Sequence, residues 1–442
     1  MCAKSVGETS LSLSRRRFLR ISTALTIGAL ARPALVRSAR ADTAASNELL
    51  ANTAIKQLFP SGPHDGSGLT FKNGMLLAMT GPGAFYGKVM SRGAQLAAKQ
   101  IAAIGGPTFQ ISIGDHKSGD VQAGASEVRR LIGQDSIETL QTSYGAVTVA
   151  ILPLIEQNKL LTFNGGGPEP AQVGKPWLYM TRMFAGDDQV AGALAWLAKA
   201  HPDIRRLAVT GTNENATEAQ KVLVPKYWPA FGDGRTLVLQ ETTKFGSTDY
   251  ANTVARIRSS NAEAVFMFNT GNDHAYLLKQ LREGGFDGPV IGIEFTADAA
   301  KIAGDAYDTY IFTADYFDPK SVNPFAKQFT AAYRAEYGED PELYAANYYE
   351  EVFMIWQLAR RALEQGGDPH SSEDLQKALE KDPTFLSLYG GAENEPGKIT
   401  ILPDHTTSKP QGVYAIKNGV PVLLASTQKI PLDADPHTAL LP

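Results

Sequence analysis

Short apolar segments alternate with amphipathic segments along most of this chain. Met75–Met79 is an apolar run that ends in glycine and proline, and the segment after it spaces apolar residues three and four positions apart. Such a run is typical of a buried strand, and such spacing of a helix. The same order recurs through residues 69–163 and again through 187–293. Because parallel strands need a crossover helix between them, this alternation predicts two doubly wound α/β lobes built on parallel sheets.

The alternation stops after residue 310. An aromatic residue recurs every four positions from Phe325 to Tyr337, and the pattern predicts a long aromatic and aliphatic helix over residues 344–363. Aromatic residues at helical spacing most often face a core. We therefore expect core helices here, followed by short strands and loops from 388 to 442.

The first 41 residues have the parts of an export signal in the right order. Arg15–Arg17 precede a phenylalanine and a leucine, an apolar run covers 21–30, and a small-x-small site ends at Ala41. This order predicts a twin-arginine (Tat) signal that is cleaved after Ala41. An N-terminal membrane anchor is the alternative, but the run is shorter than the ~20 residues that span a bilayer. We therefore predict a periplasmic protein, with 42–68 as an irregular lead-in.

Removal of that segment would change the charge balance and the cysteine content. The full chain has 42 basic and 46 acidic residues, of which residues 1–41 hold eight and one. The remaining 401 residues carry 34 basic and 45 acidic side chains, a net charge of −11, and no cysteine, because Cys2 leaves with the signal. An acidic chain without a basic cluster is a poor binder of nucleic acid. We expect two domains, no disulfide, no nucleic-acid partner and a monomer.

The sequence lacks the common motifs of catalysis and cofactor binding. It contains no Gly-x-x-x-x-Gly-Lys phosphate loop, no Gly-x-Gly-x-x-Gly after the first strand and no Gly-x-Ser-x-Gly elbow. The 7 histidines are widely separated and lack the spacing of zinc motifs. We therefore expect no enzyme activity, no cofactor and no metal, with Asp115-His116 as a polar strand end rather than a catalytic pair.

The ends of the predicted strands carry residues suited to a small ligand. In parallel α/β sheets, ligands bind at the carboxyl ends of strands, next to helix N-termini. Here these ends combine glycine, hydroxyl, aromatic and acidic residues, which suit a neutral or zwitterionic small molecule. Any one of them could also be an ordinary turn or helix cap. The candidate segments are Gly81–Gly87, Thr142–Gly145, Asn164–Gly167, Thr212–Asn215, Asn269–Asp273 and Glu294–Thr296.

Three longer stretches resemble one known family. They read MLLAMTGPGAFYGKVMSRGAQLAAKQI, ISIGDHKSGDVQAGASEVRRLI and DYANTVARIRSSNAEAVFMFNTGNDHAYLLKQLREGGFDGPVIG. Together they are similar to the leucine/isoleucine/valine-binding family of type I periplasmic receptors, over roughly residues 70–420. The resemblance implies an ABC-importer receptor whose ligand lies between two lobes. It also implies lobes made of 69–184 plus 316–388 and of 185–315 plus 389–442, with crossings near 184, 315 and 388.

The resemblance further implies which residues meet the ligand. Ser143 would hold the carboxylate of an amino acid, with help from backbone N–H groups of Gly166 and Gly167. Glu294 would pair with the α-ammonium group. The remaining implied contacts are Tyr86 at the cleft mouth, Tyr144, Asn215, Thr270 and Tyr316.

Two departures from the family pattern leave the ligand open. The loop Gly165–Gly167 lacks the usual hydroxyl, and Asn215 stands where the family often has a tyrosine. Glu294 nevertheless favours a ligand with an amine, because an unpaired buried carboxylate is costly. We therefore expect an amino acid or an amide that is delivered to a membrane permease. The alternatives are an aromatic or other carboxylate without an amine, a sensory module that presents its ligand to a receptor, and an exported hydrolase that uses Ser143 or Asp273.

Overall fold

The computed structural model describes residues 53–182, 187–428, 430 and 433–441. The predicted signal, residues 1–41, lies outside the described residues, as does the predicted first crossing near residue 184. Among the helices that the structure describes, none combines the length and the apolar character of a membrane span.

The first part of the chain builds a five-stranded sheet in which every strand pair is parallel. Asp120 caps the second helix, since its carboxylate accepts the N–H groups of Gln122 and Ala123, both at 2.9 Å. The elements are β1 (Thr70–Leu77), α1 (Ala84–Ala103), β2 (Thr108–Asp115), α2 (Val121–Arg130), β3 (Thr139–Thr142), α3 (Gly145–Gln157), β4 (Leu161–Asn164) and β5 (Leu178–Met180). Their order in the sheet is β2-β1-β3-β4-β5.

Side chains of β1 alternate between two cores. Met75 and Leu77 pack in the core that includes α1, whereas Leu76 packs in the core that includes α2 and α3. Because both faces of the sheet are covered, the strand reads as an uninterrupted apolar run. The predicted doubly wound arrangement is confirmed for this lobe.

The second lobe repeats this arrangement on a seven-stranded sheet. Its alternating elements are α4 (Asp187–Ala200), β6 (Arg206–Thr212), α5 (Asn215–Lys221), α6 (Val224–Ala230), β7 (Thr236–Thr243), α7 (Ala251–Ser259), β8 (Ala264–Phe268), α8 (Asp273–Glu283), β9 (Val290–Gly292), α9 (Ala297–Ala303) and β10 (Tyr310–Ala314). Val209 and Phe266 face one core of this lobe, and their neighbours Ala208 and Val265 face the other. The two predicted α/β lobes are thus both present.

The chain after β10 first returns to the first lobe. The helices there are α10 (Pro324–Tyr337), α11 (Leu343–Glu364) and α12 (Ser372–Lys381). Phe325, Phe329 and Tyr333 are buried in the core that contains α1, so the predicted core role of this aromatic series is confirmed. Helix α11 lies so close to α1 that a Cβ at Gly93 would be 2.1 Å from the Ala345 carbonyl oxygen.

The predicted crossing near residue 388 is wrong. Strand β11 (Thr384–Ala392) continues past that position and pairs with β12 (Glu395–Thr400) as an antiparallel hairpin. Tyr389 and Ile399 remain buried in the first-lobe core, because the hairpin turns the chain back on itself. The chain returns to the second sheet only at β13 (Gln411–Lys417), which is followed by β14 (Val420–Thr427). Both pair antiparallel, so this sheet is mixed rather than wholly parallel.

Candidate functional site

A cavity of about 460 Å³ opens between the two lobes. Loops that follow β3 and β4 line it from the first lobe, and loops that follow β6, β8 and β9 line it from the second. Its volume lies in the ~300–1,000 Å³ range of small-molecule sites. The candidate contacts that line it are Tyr86, Tyr144, Gly166, Gly167, Asn215, Thr270 and Glu294.

Glu294, a residue of the second lobe, lines the cavity and is hydrogen-bonded to residues of both lobes. This residue is only 1% exposed. Its carboxylate accepts hydrogen bonds from the Tyr86 hydroxyl at 2.9 Å and the Tyr344 hydroxyl at 2.9 Å, both of the first lobe. The backbone N–H of Gly271, in its own lobe, donates to the same carboxylate at 2.6 Å. Two of the three donors therefore join the lobes through one carboxylate.

Burial disfavours the ionised form of Glu294, and a nearby guanidinium favours it. Burial raises the pKa of Glu294 to about 7, and the nearby Arg182 lowers it in part. Arg182 is itself buried in an ion pair with Asp315, Nε to Oδ1 3.2 Å, and donates to the Tyr344 hydroxyl at 3.0 Å. With both carboxylates ionised, two negative charges share one guanidinium. The set of Glu294, Asp315 and Arg182 then has a net charge of −1, which a ligand cation could balance.

Arg182 and Tyr344 are site residues that the sequence patterns do not identify. Arg182 follows the carboxyl end of β5, so the strand-end rule that selected the other candidates could also have found it. Tyr344 lies in the first turn of α11, among aromatic residues expected in the core. Its ring packs on Tyr86, with centroids 4.9 Å apart, while it also lines the cavity. No local pattern separates it from its core neighbours.

Ser143 does not face the cavity. Its hydroxyl donates to the Leu76 carbonyl oxygen at 3.2 Å and lies 3.1 Å from His116 Nε2. Because His116 Nδ1 accepts the N–H of Gly119 at 3.0 Å, Nε2 carries the imidazole proton and donates to Ser143. Burial lowers the pKa of His116 to about 4, which keeps the ring neutral. The hydroxyl predicted to hold a ligand carboxylate is thus committed within the protein.

The glycine loop also has its donors occupied. The N–H groups of Gly166 and Gly167 donate to the Asn164 side-chain oxygen at 3.0 and 3.2 Å. A Cβ at Gly167 would lie 2.7 Å from the backbone nitrogen of Gly145, so only glycine fits beside the start of α3. The loop therefore lines the cavity with its backbone already hydrogen-bonded.

Tyr144 has an unusual backbone conformation at the start of α3. Its φ is 61° and its ψ is 117°. A bulky residue at positive φ is strained, and such strain clusters at ligand sites. The ring packs against His116 and Tyr86, with centroids 4.8 and 6.2 Å apart. This conformation carries the aromatic ring to the cavity wall.

The second-lobe candidates differ in their placement. Thr270 donates its hydroxyl to the carboxylate of Glu214, which also accepts the Thr212 hydroxyl at 2.9 Å. Asn215 is exposed at the cavity edge. Tyr316 is not a lining residue, because its ring packs against Tyr414 in the second lobe, with centroids 5.0 Å apart. The structure thus brings Thr270 and Asn215 to the cavity and leaves Tyr316 outside it.

The charged lining is mainly acidic. Glu169, Glu214 and Glu294 line the cavity, against Arg182 and the exposed Lys244. Within the described part of the chain, no group of three or more His, Cys, Asp or Glu side chains is arranged to hold a metal ion.

Comparison with known proteins places this architecture among solute receptors. A family model described as periplasmic binding protein matches residues 70–420. The Leu/Ile/Val-binding protein homolog 1 of Brucella abortus (strain 2308) is 23% identical over 76% of this chain and 89% of the relative.

Solved structures share the fold at low sequence identity. A branched-chain amino acid transporter substrate binding protein from Streptococcus pneumoniae, in complex with isoleucine, is 21% identical with a TM-score of 0.68 over 81% of this chain and 98% of that one. An ABC transporter solute binding protein from R. palustris, in complex with benzoate, is 19% identical with a TM-score of 0.71 over 81% and 96%.

Proposed function

This chain belongs to the periplasmic binding proteins, of the leucine/isoleucine/valine-binding type, and we propose that it is the receptor of an ABC importer for a small amine-bearing molecule such as an amino acid or an amide. One observation carries the ligand class. Glu294 is a buried carboxylate between the lobes, and Arg182, whose guanidinium lies near it, is already paired with Asp315. A ligand ammonium would supply the missing positive charge.

The hydrogen bonds of Glu294 indicate how ligand binding and lobe closure are coupled. Tyr86 and Tyr344 reach Glu294 from the other lobe. An ammonium group bound at Glu294 touches residues of both lobes, so it binds the closed arrangement more tightly than an open one. A ligand shifts a conformational equilibrium only by such a difference in affinity. Closure would then present one lobe arrangement to the permease.

Aromatic side chains provide the wall for the body of the ligand. Tyr86, Tyr144 and Phe245 line the cavity together with Met90. Rings with polar tips suit a compact molecule that has an apolar body and polar ends. This wall would also accommodate an aromatic acid without an amine, which is the competing ligand class.

The arrangement at Ser143 supports binding without catalysis. A hydrolase that used Ser143 would need a histidine nitrogen free to accept the serine proton. Here Nε2 of His116 donates to Ser143, because Nδ1 accepts the N–H of Gly119. We therefore infer that the protein binds its ligand without changing it chemically.

Export precedes this function. The arginines Arg15 and Arg16 followed by an apolar run support transport through the Tat route, with the mature chain beginning at Asp42. Replacing both arginines with lysine should retain the full-length chain in the cytoplasm. N-terminal sequencing of the periplasmic protein tests the cleavage site, and a start at any residue other than Asp42 would contradict it.

A thermal-shift screen of residues 42–442 tests the ligand class. The panel contains amino acids, amides, aromatic acids and sugars. A ligand at 100 times its Kd stabilises the folded state by about 2.7 kcal/mol, which raises the Tm by a few degrees in a large domain. We expect shifts only from compounds with an amine. Shifts confined to acids that lack an amine would overturn the ligand class and keep the receptor function.

A further inference from the structure

Glu169 is a buried carboxyl in the cavity wall that lacks a protein partner. The residue is 7% exposed, it lines the cavity, and its Oε1 has no hydrogen-bond partner within the described part of the chain. Burial raises the pKa of Glu169, with no neighbouring group acting against it. A buried polar group without a hydrogen bond is costly, and native structures rarely keep one without a use.

Two other buried glutamates of the same lobe accept hydrogen bonds from the protein. Glu350 accepts the Ser387 hydroxyl and the Leu388 N–H, both at 2.7 Å. Glu351 accepts the amide of Gln141 at 2.7 Å as well as a threonine hydroxyl. Glu169 differs from these two glutamates, because no hydrogen bond to its carboxyl is formed within the described residues and because it lines the cavity.

Glu169 lies over the first turn of α3. A Cβ at Gly145 would be 2.3 Å from both Cγ and Oε1 of Glu169, so only glycine at that position leaves room for the carboxyl. A carboxyl of the protein itself thus occupies the helix N-terminus at which a ligand carboxylate would otherwise bind.

Three donors at this end of the cavity are already used within the protein. The Ser143 hydroxyl donates to a carbonyl oxygen, and the N–H groups of Gly166 and Gly167 donate to Asn164. A ligand carboxylate placed here would meet the Glu169 carboxyl, while the Ser143 hydroxyl and the two glycine N–H groups are already used. A group that donates hydrogen bonds would instead satisfy Glu169.

We propose that Glu169 is a specificity residue for a second nitrogen-bearing group of the ligand, so that the ligand is a small amino amide or diamine without a carboxylate. This inference rests on the proposed function, in which Glu294 binds the first amine. The two carboxyls belong to different lobes, so a ligand with nitrogen at both ends joins the lobes.

Calorimetric titration with matched ligand pairs tests the proposal. Leucinamide is compared with leucine, and putrescine with γ-aminobutyrate. The members of each pair differ at one end only, where the first has a nitrogen-bearing group and the second a carboxylate. We expect the nitrogen-bearing member to bind at least about 10-fold more tightly to the wild type. In Glu169→Gln that advantage should fall towards parity, whereas the exposed Glu393→Gln should keep it.

Protein stability gives an independent readout. Because no hydrogen bond to the Glu169 carboxyl is formed within the described residues, Glu169→Gln should unfold at the same temperature as the wild type or a higher one, whereas a structural role would lower it. Tighter binding of the carboxylate member of either pair would overturn the proposal and leave an amine receptor standing. An unchanged ratio in Glu169→Gln, or a clear loss of stability, would also overturn it. Failure of every amine on the panel to bind would overturn the proposed function as well.

Discussion

Replacement of Glu294 with glutamine should stabilise the unliganded protein, and more so at higher pH. Burial raises the pKa of Glu294 to about 7, above the ordinary value of 4.5. When the pKa of a carboxyl is higher in the folded protein than in the unfolded chain, its contribution to the free energy of unfolding is fully present below the unfolded pKa. That contribution is lost as the pH rises through the folded pKa. Keeping this carboxyl buried therefore costs ~1 kcal/mol at about pH 5 and ~3 kcal/mol at about pH 8. Glutamine is neutral at both.

The same substitution should weaken ligand binding. Removing one partner of a buried, hydrogen-bonded charge pair costs ~2–5 kcal/mol, because the other charge is left unpaired. That range corresponds to at least about 30-fold weaker binding of an amine-bearing ligand. Glu294→Gln is thus expected to have opposite effects on stability and on affinity.

Urea unfolding at the two pH values and calorimetric titration measure both effects. We expect the stability gain of Glu294→Gln over the wild type to grow by ~2 kcal/mol between about pH 5 and about pH 8. This difference does not depend on how well the glutamine packs. A gain that is the same at both pH values would refute the assigned burial effect. Unchanged or improved affinity would refute the ammonium contact and favour an acid without an amine.

Three further outcomes follow from the same contacts. Binding of an amine-bearing ligand should strengthen from about pH 6 to about pH 8, with proton release measured by calorimetry in two buffers, because the ligand favours the ionised Glu294; a flat profile would contradict this. Tyr86→Phe removes an inter-lobe hydrogen bond, so small-angle X-ray scattering of the unliganded variant should show a larger radius of gyration than the wild type; equal values would show that this bond does not hold the lobes. Gly93→Ala should cost ~1–3 kcal/mol in urea unfolding, because its Cβ would meet the backbone of Ala345; a neutral result would mean that α1 and α11 separate easily.

The regular parts of the fold could be predicted because local patterns determine them. The apolar run at Met75–Leu77 depends on near neighbours alone. The hairpin of β11 and β12 could not be placed, because its lobe is decided by distant packing: Tyr389 and Ile399 are buried in the first-lobe core, and the Tyr389 hydroxyl donates to Asn347 of α11 at 2.6 Å. Boundaries in a chain that crosses between lobes depend on such contacts.

The site was predicted in part, for a similar reason. The strand-end rule brings Glu294 and Thr270 to the cavity, because parallel strands end at one edge of a sheet. The rule does not say which way a side chain turns, and the Ser143 hydroxyl turns towards His116. Nor does it identify Tyr344, which lies on a core helix and donates to Glu294. It also does not show that Glu169 Oε1 lacks a hydrogen-bond partner within the described residues.

A crystal structure of the mature protein with the best ligand of the thermal-shift panel tests the central claim most directly. We expect a ligand nitrogen within ~3 Å of the Glu294 carboxylate, in the cavity between the lobes. A ligand without nitrogen whose carboxylate lies on Arg182, or a ligand bound outside this cavity, would contradict it.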